Sequence, residues 1–354
     1  MRPTIMMIGP TVVPDRVLKA MQKNMVSHRA EEYHQIHREV CGNLQKIFHT
    51  KNPVYTLTAS ATGAMEATLE NCFNPGDEVV IPIIGTFSEQ FAKQADVFGL
   101  KVTRVPFELG ESADVAKVVE HVTENTRGVF VIHNESATGV TNNLEKFGQA
   151  LKGSNALLVS DTVSGFAGIP TYMDDWGIDV FLTGSQKALM SPAGMSFITL
   201  SEKAKEATKS CKQARYYFNL SHFDEFSIKG ETPNTPAIFG MLAVREALRM
   251  ITEEGIDSVY ERHNLCHQKL KAGIECLGYN LLADDEAVQS KTVNAIVAKG
   301  QAKRIVKRLK DRNVIINTAL GKLSEDVFRV GTMGYVFEKD VDTFLNEFEY
   351  VIKH

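Results

Sequence analysis

DVFLTGSQKALMSPAG, residues 179–194, carries an apolar run directly into a lone lysine. Val180–Thr183 reads as a buried strand. Gly184, Ser185 and Gln186 follow it, then Lys187 and a loop of small residues. Taken alone, Lys187 reads as a side chain snorkelling at a helix start. The residues that fall at equivalent places along the chain change that reading.

Between residues 54 and 200, short apolar runs alternate with longer amphipathic stretches. Strands are expected at Val54–Thr58, Glu78–Ile83, Lys101–Val105, Gly128–His133, Ala156–Asp161, Val180–Thr183 and Ser196–Leu200. Helices are expected at Thr62–Phe73, Phe87–Phe98 and Ala113–Val122. Runs that are apolar on both faces and joined by helices imply an α/β fold with a mostly parallel central sheet covered on both sides. NPGDEVV (74–80) combines a helix stop, a turn and a strand start.

The pattern changes after residue 200. Pro236–Glu254 reads as a long helix with Gly255 as its stop, and a further helix follows. Then come the strand VNAIVA (293–298), the helix AKRIVKRLKD (302–311), VIINTAL (314–320), the strand VFRVGT (327–332) and a last helix from about Asp340. The expected organisation is a large domain over 15–250 and a smaller C-terminal α+β domain over 251–354. Residues 1–14 form a segment crossing to the site.

A chain of 354 residues is long enough for a sizeable core, and 44% hydrophobic with 23% charged residues describes an ordinary globular protein. A net charge of −4 argues against nucleic acid or an anionic membrane as partner. The apolar stretch at the N-terminus is broken by Gly9 and Pro10, and no window approaches the ~18–20 apolar residues of a spanning helix. Five cysteines without CxxC or Cys/His ligand spacing read as reduced thiols in a cytoplasmic protein, with no metal site.

In open α/β sheets, ligands bind beyond the carboxyl ends of the strands. After the first strand, ASATGAMEAT (59–68) offers Ser60, Ala61, Thr62 and Gly63 at a helix N-terminus, either an anion cradle or an ordinary cap. No P-loop or GxGxxG pattern is present. After the second strand, Phe87 either joins the core or stacks on a planar ring. After the fourth, HNESATGV (133–140) reads as a site loop. Asp161 ends an almost wholly apolar run, where a carboxylate needs a cationic or hydrogen-bonding partner; a cap or structural ion pair is the alternative. Lys187 ends the sixth strand. A partly desolvated lysine near other cations becomes a neutral amine able to attack an aldehyde. Anion cradle, aromatic, acid and lysine at one sheet edge fit a single cofactor, pyridoxal 5′-phosphate (PLP), with Asp161 keeping its ring nitrogen protonated.

With those residues in view, the chain resembles the class V aminotransferases of PLP fold type I, and within them the alanine–glyoxylate and serine–pyruvate aminotransferases. The matching phrases are IGPTVVP (8–14), SHRAEEYHQIH (27–37), SATGAMEA (60–67), NPGDEV (74–79), HNESATGV (133–140), SDTVSG (160–165), GSQKAL (184–189), TPNTPAI (232–238) and FRVGTMG (328–334), in family order over essentially the whole chain. The resemblance implies that Lys187 links covalently to the cofactor aldehyde, Asp161 pairs with the pyridine nitrogen and Phe87 stacks on the ring. Ser60, Ala61, Thr62 and Gln186 would hold the phosphate, and Ser136 and Val163 would touch the cofactor's face and substituents. Thr235 would reach the phosphate of a neighbouring subunit in a homodimer. Arg329 would grip the substrate carboxylate with the backbone at Gly9, Ser136 lying beside it, since a planar guanidinium matches a carboxylate bidentately. Two positions depart from the family pattern: Thr232 stands where relatives commonly have Tyr, and Val12 where many have Asn.

The implied activity is ping-pong transamination from a small amino acid, alanine or serine, to a 2-oxo acid such as glyoxylate or pyruvate. Arg329 is the one clear carboxylate clamp, which favours a monocarboxylic substrate, although Arg29 could enter the site. A 2-aminoethylphosphonate–pyruvate transaminase is the alternative. A cysteine desulfurase would need a catalytic cysteine near 310–335, and the last cysteine is Cys276. A non-catalytic binding role is disfavoured by the joint presence of Lys187, Asp161 and Arg329.

Overall fold

The computed structural model describes residues 3–354. Seven strands form the central sheet: β1 (Val54–Leu57), β2 (Glu78–Ile83), β3 (Lys101–Pro106), β4 (Thr126–Ile132), β5 (Leu157–Asp161), β6 (Val180–Gly184) and β7 (Ser196–Leu200). Their spatial order is β1-β7-β6-β5-β4-β2-β3. Only β7 runs against the others, antiparallel to both β1 and β6. The sheet is therefore mostly parallel, as the apolar runs imply. Alternate side chains of each strand feed different cores: Val129, Val131, Leu158 and Phe181 pack on one face, and Phe130, Ile132, Val159 and Leu182 on the other. Burial on both faces is why the inner strands lack polar alternation, whereas the edge strand β3 keeps Lys101, Thr103 and Pro106 exposed.

Helix α1 (Glu31–Phe48) and helix α4 (Ile238–Glu254) cover the first face, while α2 (Ala61–Cys72) and α3 (Thr86–Val97) cover the second. Helix α4 ends at Gly255 (φ +84), and helix α5 (Ile256–Cys276) starts at once. A second sheet, antiparallel, places β10 (Val327–Gly331) between β8 (Val293–Val297) and β9 (Asn317–Thr318). Its own apolar cluster includes residues of α5, of α6 (Ala302–Asp311) and of α7 (Glu338–Lys353). We propose the division 1–14, 15–250 and 251–354 from these two sheets and their separate cores. Met1 and Arg2 of the first segment lie outside the described residues.

The N-terminal segment ties the small sheet to the Lys187 loop. Thr4–Ile5 pairs in parallel with Val314–Ile315, and the Met6 carbonyl accepts the Gly331 N–H at 2.7 Å. Ile8 N–H donates to Asn317 Oδ1 at 2.9 Å, and Thr11 N–H to the Gln186 carbonyl at 2.9 Å. VIINTAL is consequently not one strand. Val314–Ile315 serves the N-terminal segment, and Asn317–Thr318 serves β10.

Candidate active site

In the register of the sheet, Ile132 of β4 lies opposite Asp161 of β5, and Asp161 opposite Leu182 of β6. The loops after these strands therefore emerge together at one edge. They enclose a cavity of about 260 Å³. Gly9, Ser60, Ala61, Thr62, Phe87, Ser136, Asp161, Val163, Gln186 and Lys187 all line it. Lys187 lies three residues past Gly184, the end of β6, on a loop held by Ser185, whose hydroxyl donates to the Pro192 carbonyl at 2.6 Å.

Lys187 Nζ donates to the Ile8 carbonyl at 2.7 Å. Gly9 (φ +133) makes that approach available. A Cβ there would stand 2.7 Å from Lys187 Cδ and 2.9 Å from both Cε and Nζ. Burial, reinforced by the Arg329 charge, lowers the lysine pKa to about 8, against the pull of Asp161. The neutral amine is thus within reach near physiological pH. Asp161 is pushed up to about 7, first by burial and further by the Glu135 charge. The Val163 N–H, donating to its Oδ1 at 2.8 Å, and the Lys187 charge pull the other way. A cation close to Asp161 would restore its ionised form.

The cap alternative for Ser60 is not what the structure contains, because the Ser60 side chain makes no cap hydrogen bond. Ser60, Ala61 and Thr62, at the N-terminus of α2 where backbone N–H groups lack intrahelical partners, line the cavity. Gln186 Oε1 is buried without a partner on the same wall. Since amide O and N are assigned from their neighbours, Gln186 can present either a donor or an acceptor to a ligand. Phe87, at the start of α3, also lines the cavity.

Arg329 stands behind Ser136 and is 6% exposed. Its Nη1 donates to the Ser136 carbonyl at 2.8 Å, and its Nε and Nη2 to the Thr318 carbonyl at 3.2 and 2.9 Å. Three of the five guanidinium N–H groups are so used, and Arg329 is not among the residues that line the cavity. Arg29 does not enter the cavity. It donates to Glu231 at 2.5 Å and to the carbonyls of Thr232 at 3.0 Å and Pro233 at 3.3 Å, fastening the TPNTP loop. Thr235 is exposed and lies outside the cavity of its own chain.

Sequence reasoning passed over Pro10, Met65, Gln90, Ile132, Asn134, Ser164 and Ala193, which also line the cavity. Met65 and Gln90 sit three residues after Thr62 and Phe87, so helical spacing from the chosen residues points to both. Asn134 is a fully bonded brace. Its Nδ2 donates to Ser164 Oγ at 2.9 Å and to Thr292 Oγ1 at 3.2 Å, and its Oδ1 accepts from Thr141 Oγ1 at 2.8 Å. Glu135, also passed over, is fully buried against the start of α3.

Known proteins carry the same architecture. Residues 6–344 match the family described as aminotransferase class-V. The chain is 32% identical to the soluble hydrogenase 42 kDa subunit of Anabaena cylindrica, covering 98% of this chain and 92% of that one. It is also 32% identical to the serine–glyoxylate aminotransferase of Arabidopsis thaliana, over 98% of this chain and 89% of that one. Among solved structures, the alanine–glyoxylate aminotransferase of Nostoc sp. superimposes with a TM-score of 0.95 at 27% identity, covering 99% and 96% of the two chains. A match over nearly the full length, on a fold that brings Lys187 and the buried Asp161 to one cavity at the edge of a mostly parallel sheet, places this chain in the class V aminotransferase family.

Proposed function

We propose that this chain binds PLP and moves an amino group from a small monocarboxylic amino acid, alanine or serine, to a 2-oxo acid such as glyoxylate or pyruvate. The observation that carries the reading is one cavity walled by a titratable lysine, a buried acid and a helix N-terminus whose N-cap hydroxyl makes no cap bond. When bound, PLP supplies an aldehyde that condenses with amines and a protonated ring that takes up electrons from the substrate carbon. Ser60, Ala61, Thr62 and Gln186 hold its phosphate, Phe87 and Val163 bracket its ring, and Asp161 keeps the ring nitrogen protonated. Lys187 would hold the aldehyde, and its amine would serve as the general base for the α-proton. Arg329 orients the substrate carboxylate with its two remaining N–H groups, beside Ser136 and the Gly9 backbone.

A spectral half-reaction screen tests this reading. Protein incubated with PLP should be yellow, and alanine, serine or glycine should bleach the visible band faster than aspartate or 2-aminoethylphosphonate. A colourless protein sinks the cofactor assignment, and faster bleaching by aspartate sinks the monocarboxylate assignment. Arg329→Lys should cost about 10–100-fold in kcat/KM, chiefly through KM, because a point charge replaces a charge-assisted fork of ~1.5–3 kcal/mol.

We further propose a homodimer in which Thr235 completes the phosphate site of the partner. Thr235 is exposed on its own chain, and Tyr216 (82% exposed) and Ile228 (85% exposed) lie on the same segment of sequence. Sedimentation should give twice the chain mass, and Thr235→Ala should weaken PLP binding without dissociating the dimer. A monomeric protein with full PLP affinity overturns this. Among the described residues no helix is long and apolar enough to cross a membrane. Five free cysteines support a reducing, cytoplasmic setting.

A further inference from the structure

Two neighbouring strands of the central sheet, β2 and β4, lead into connections that run in opposite directions. β2 passes through α3 to β3 on one side, and β4 passes to β5 on the other. This is the topological switch point, where a crevice opens between the strand ends. Glu135 sits across that crevice. It is 0% exposed, in a chain where a buried carboxylate is costly without partners.

Its partners come from both sides of the crevice. Glu135 Oε2 accepts the Phe87 N–H and the Ser88 N–H, each at 3.0 Å, with the Ser88 hydroxyl at 3.3 Å. Its Oε1 accepts the Ala137 N–H at 3.0 Å. Helix α3 begins after Gly85, which has no side chain to cap it, so a carboxylate from another loop caps it instead and meets the positive end of its dipole. Gly85 leaves the room for this. A Cβ there would lie 2.5 Å from Glu135 Cγ. Ser136, the next residue, offers its carbonyl to Arg329. The carboxylate thus fixes Phe87 directly, and its bond to Ala137 N–H holds the turn whose Ser136 carbonyl seats Arg329.

We propose that Glu135 is a positioning residue of the active site, setting the height of Phe87 over the bound ring and the seat of Arg329 behind Ser136. Burial pushes the Glu135 carboxyl up and the Ser88, Ala137 and Phe87 N–H groups pull it back down; in its ionised form it raises the proton affinity of Asp161 and favours the cationic form of Arg329. The proposal rests on the PLP reading only for the ring that Phe87 covers. The clamp itself is a property of the protein alone, and the test separates the two.

Glu135→Gln keeps one acceptor oxygen and turns the other into an NH2 that opposes a backbone N–H. In the cofactor-free variant, amide hydrogen exchange at Phe87 and Ser88 should accelerate about 10-fold or more. The PLP dissociation constant should rise about 10-fold, with a weaker induced circular dichroism of the bound ring. In a Phe87→Ala background most of that loss of affinity should disappear, because Glu135 acts through Phe87. If Glu135→Gln fails to fold, Glu135→Asp, which keeps the charge and withdraws the carboxylate by one methylene, should show the same changes at smaller amplitude. Unchanged exchange at Phe87 and Ser88 overturns the clamp. Accelerated exchange with unchanged PLP affinity and dichroism reduces Glu135 to a structural role and overturns the positioning. A wild-type protein that binds no PLP overturns the positioning together with the PLP reading, while the exchange result still judges the clamp.

Discussion

Lys187→Ala should reduce transamination by about 10⁴-fold or more, because the proposed function asks one residue to supply both the covalent anchor and the general base. The cavity is otherwise left intact, so PLP should still bind through the α2 N-terminus and Asp161, without the visible band of the linked cofactor. Lys187→Arg is the sharper control. Arginine keeps the positive charge and the length, but it does not deprotonate in proteins. It should be as inactive as alanine, whereas a role in charge balance alone would leave Lys187→Arg active. A small primary amine added to Lys187→Ala should recover part of the rate. The recovery is limited because a tethered amine enjoys an effective concentration of ~10⁵ M or more. Stability offers a second readout. The folded-state pKa of Lys187 is lowered to about 8 from 10.5, so between those values the unfolded chain binds more protons than the folded one. Wild-type cofactor-free protein should therefore gain stability as pH rises from about 8 to about 10.5, and Lys187→Ala should lack that slope. Equal slopes would place the lysine in water rather than in the cavity.

How far this was legible in the chain differs from residue to residue. Glu78–Ile83 and Ser196–Leu200 are strands over their full expected lengths, and Ala302–Asp311 is a helix over its full expected length. Burial on both faces and uninterrupted periodicity make such segments plain. Ala113–Val122 is helical only over Val115–Val119, because Asp114 caps late and the chain turns away again by Thr123. The reversed direction of β7 is not encoded in its composition, since parallel and antiparallel strands buried on both faces look alike. Lys187 and Asp161 were legible because a charge after an apolar run demands a reason. Glu135 was not, because it stands among polar neighbours in HNESATGV. Its importance arises from Phe87 and Ser88, 48 and 47 residues away, which only the sheet order brings to it. Arg29 shows the converse. As an arginine in a family-like phrase it was a candidate for the site, but it lies outside the cavity, where it fastens Glu231 and the TPNTP carbonyls.

Asp161→Asn should lower the rate by about 10²–10³-fold, the scale observed when one electrostatic partner of a reacting system is removed. Asparagine matches aspartate in shape, and its oxygen can still accept the Val163 N–H. What it cannot supply is the negative charge that keeps a ring nitrogen protonated. The same substitution should act in the opposite sense on the empty protein. Asp161 has its pKa raised from 3.8 to about 7, so between those values the folded state holds a proton that the unfolded chain releases. Stability attributable to Asp161 therefore falls as pH rises from about 4 to about 7, by something on the order of a few kcal/mol. The full cost remains above that range. Cofactor-free Asp161→Asn should accordingly be more stable than wild type at about pH 7.5, and the difference should close toward about pH 4. Saturating PLP should reverse the order, because only wild type gains a charge-assisted pair with the ring. Denaturant titrations of both proteins, with and without PLP, measure all four states. A wild type no less stable than Asp161→Asn when empty would mean that the carboxylate is already satisfied, and its role as the partner of a ring cation would be lost. On the proposed reading, a buried acid that costs stability in the cofactor-free fold is retained for the charge it offers a bound ring.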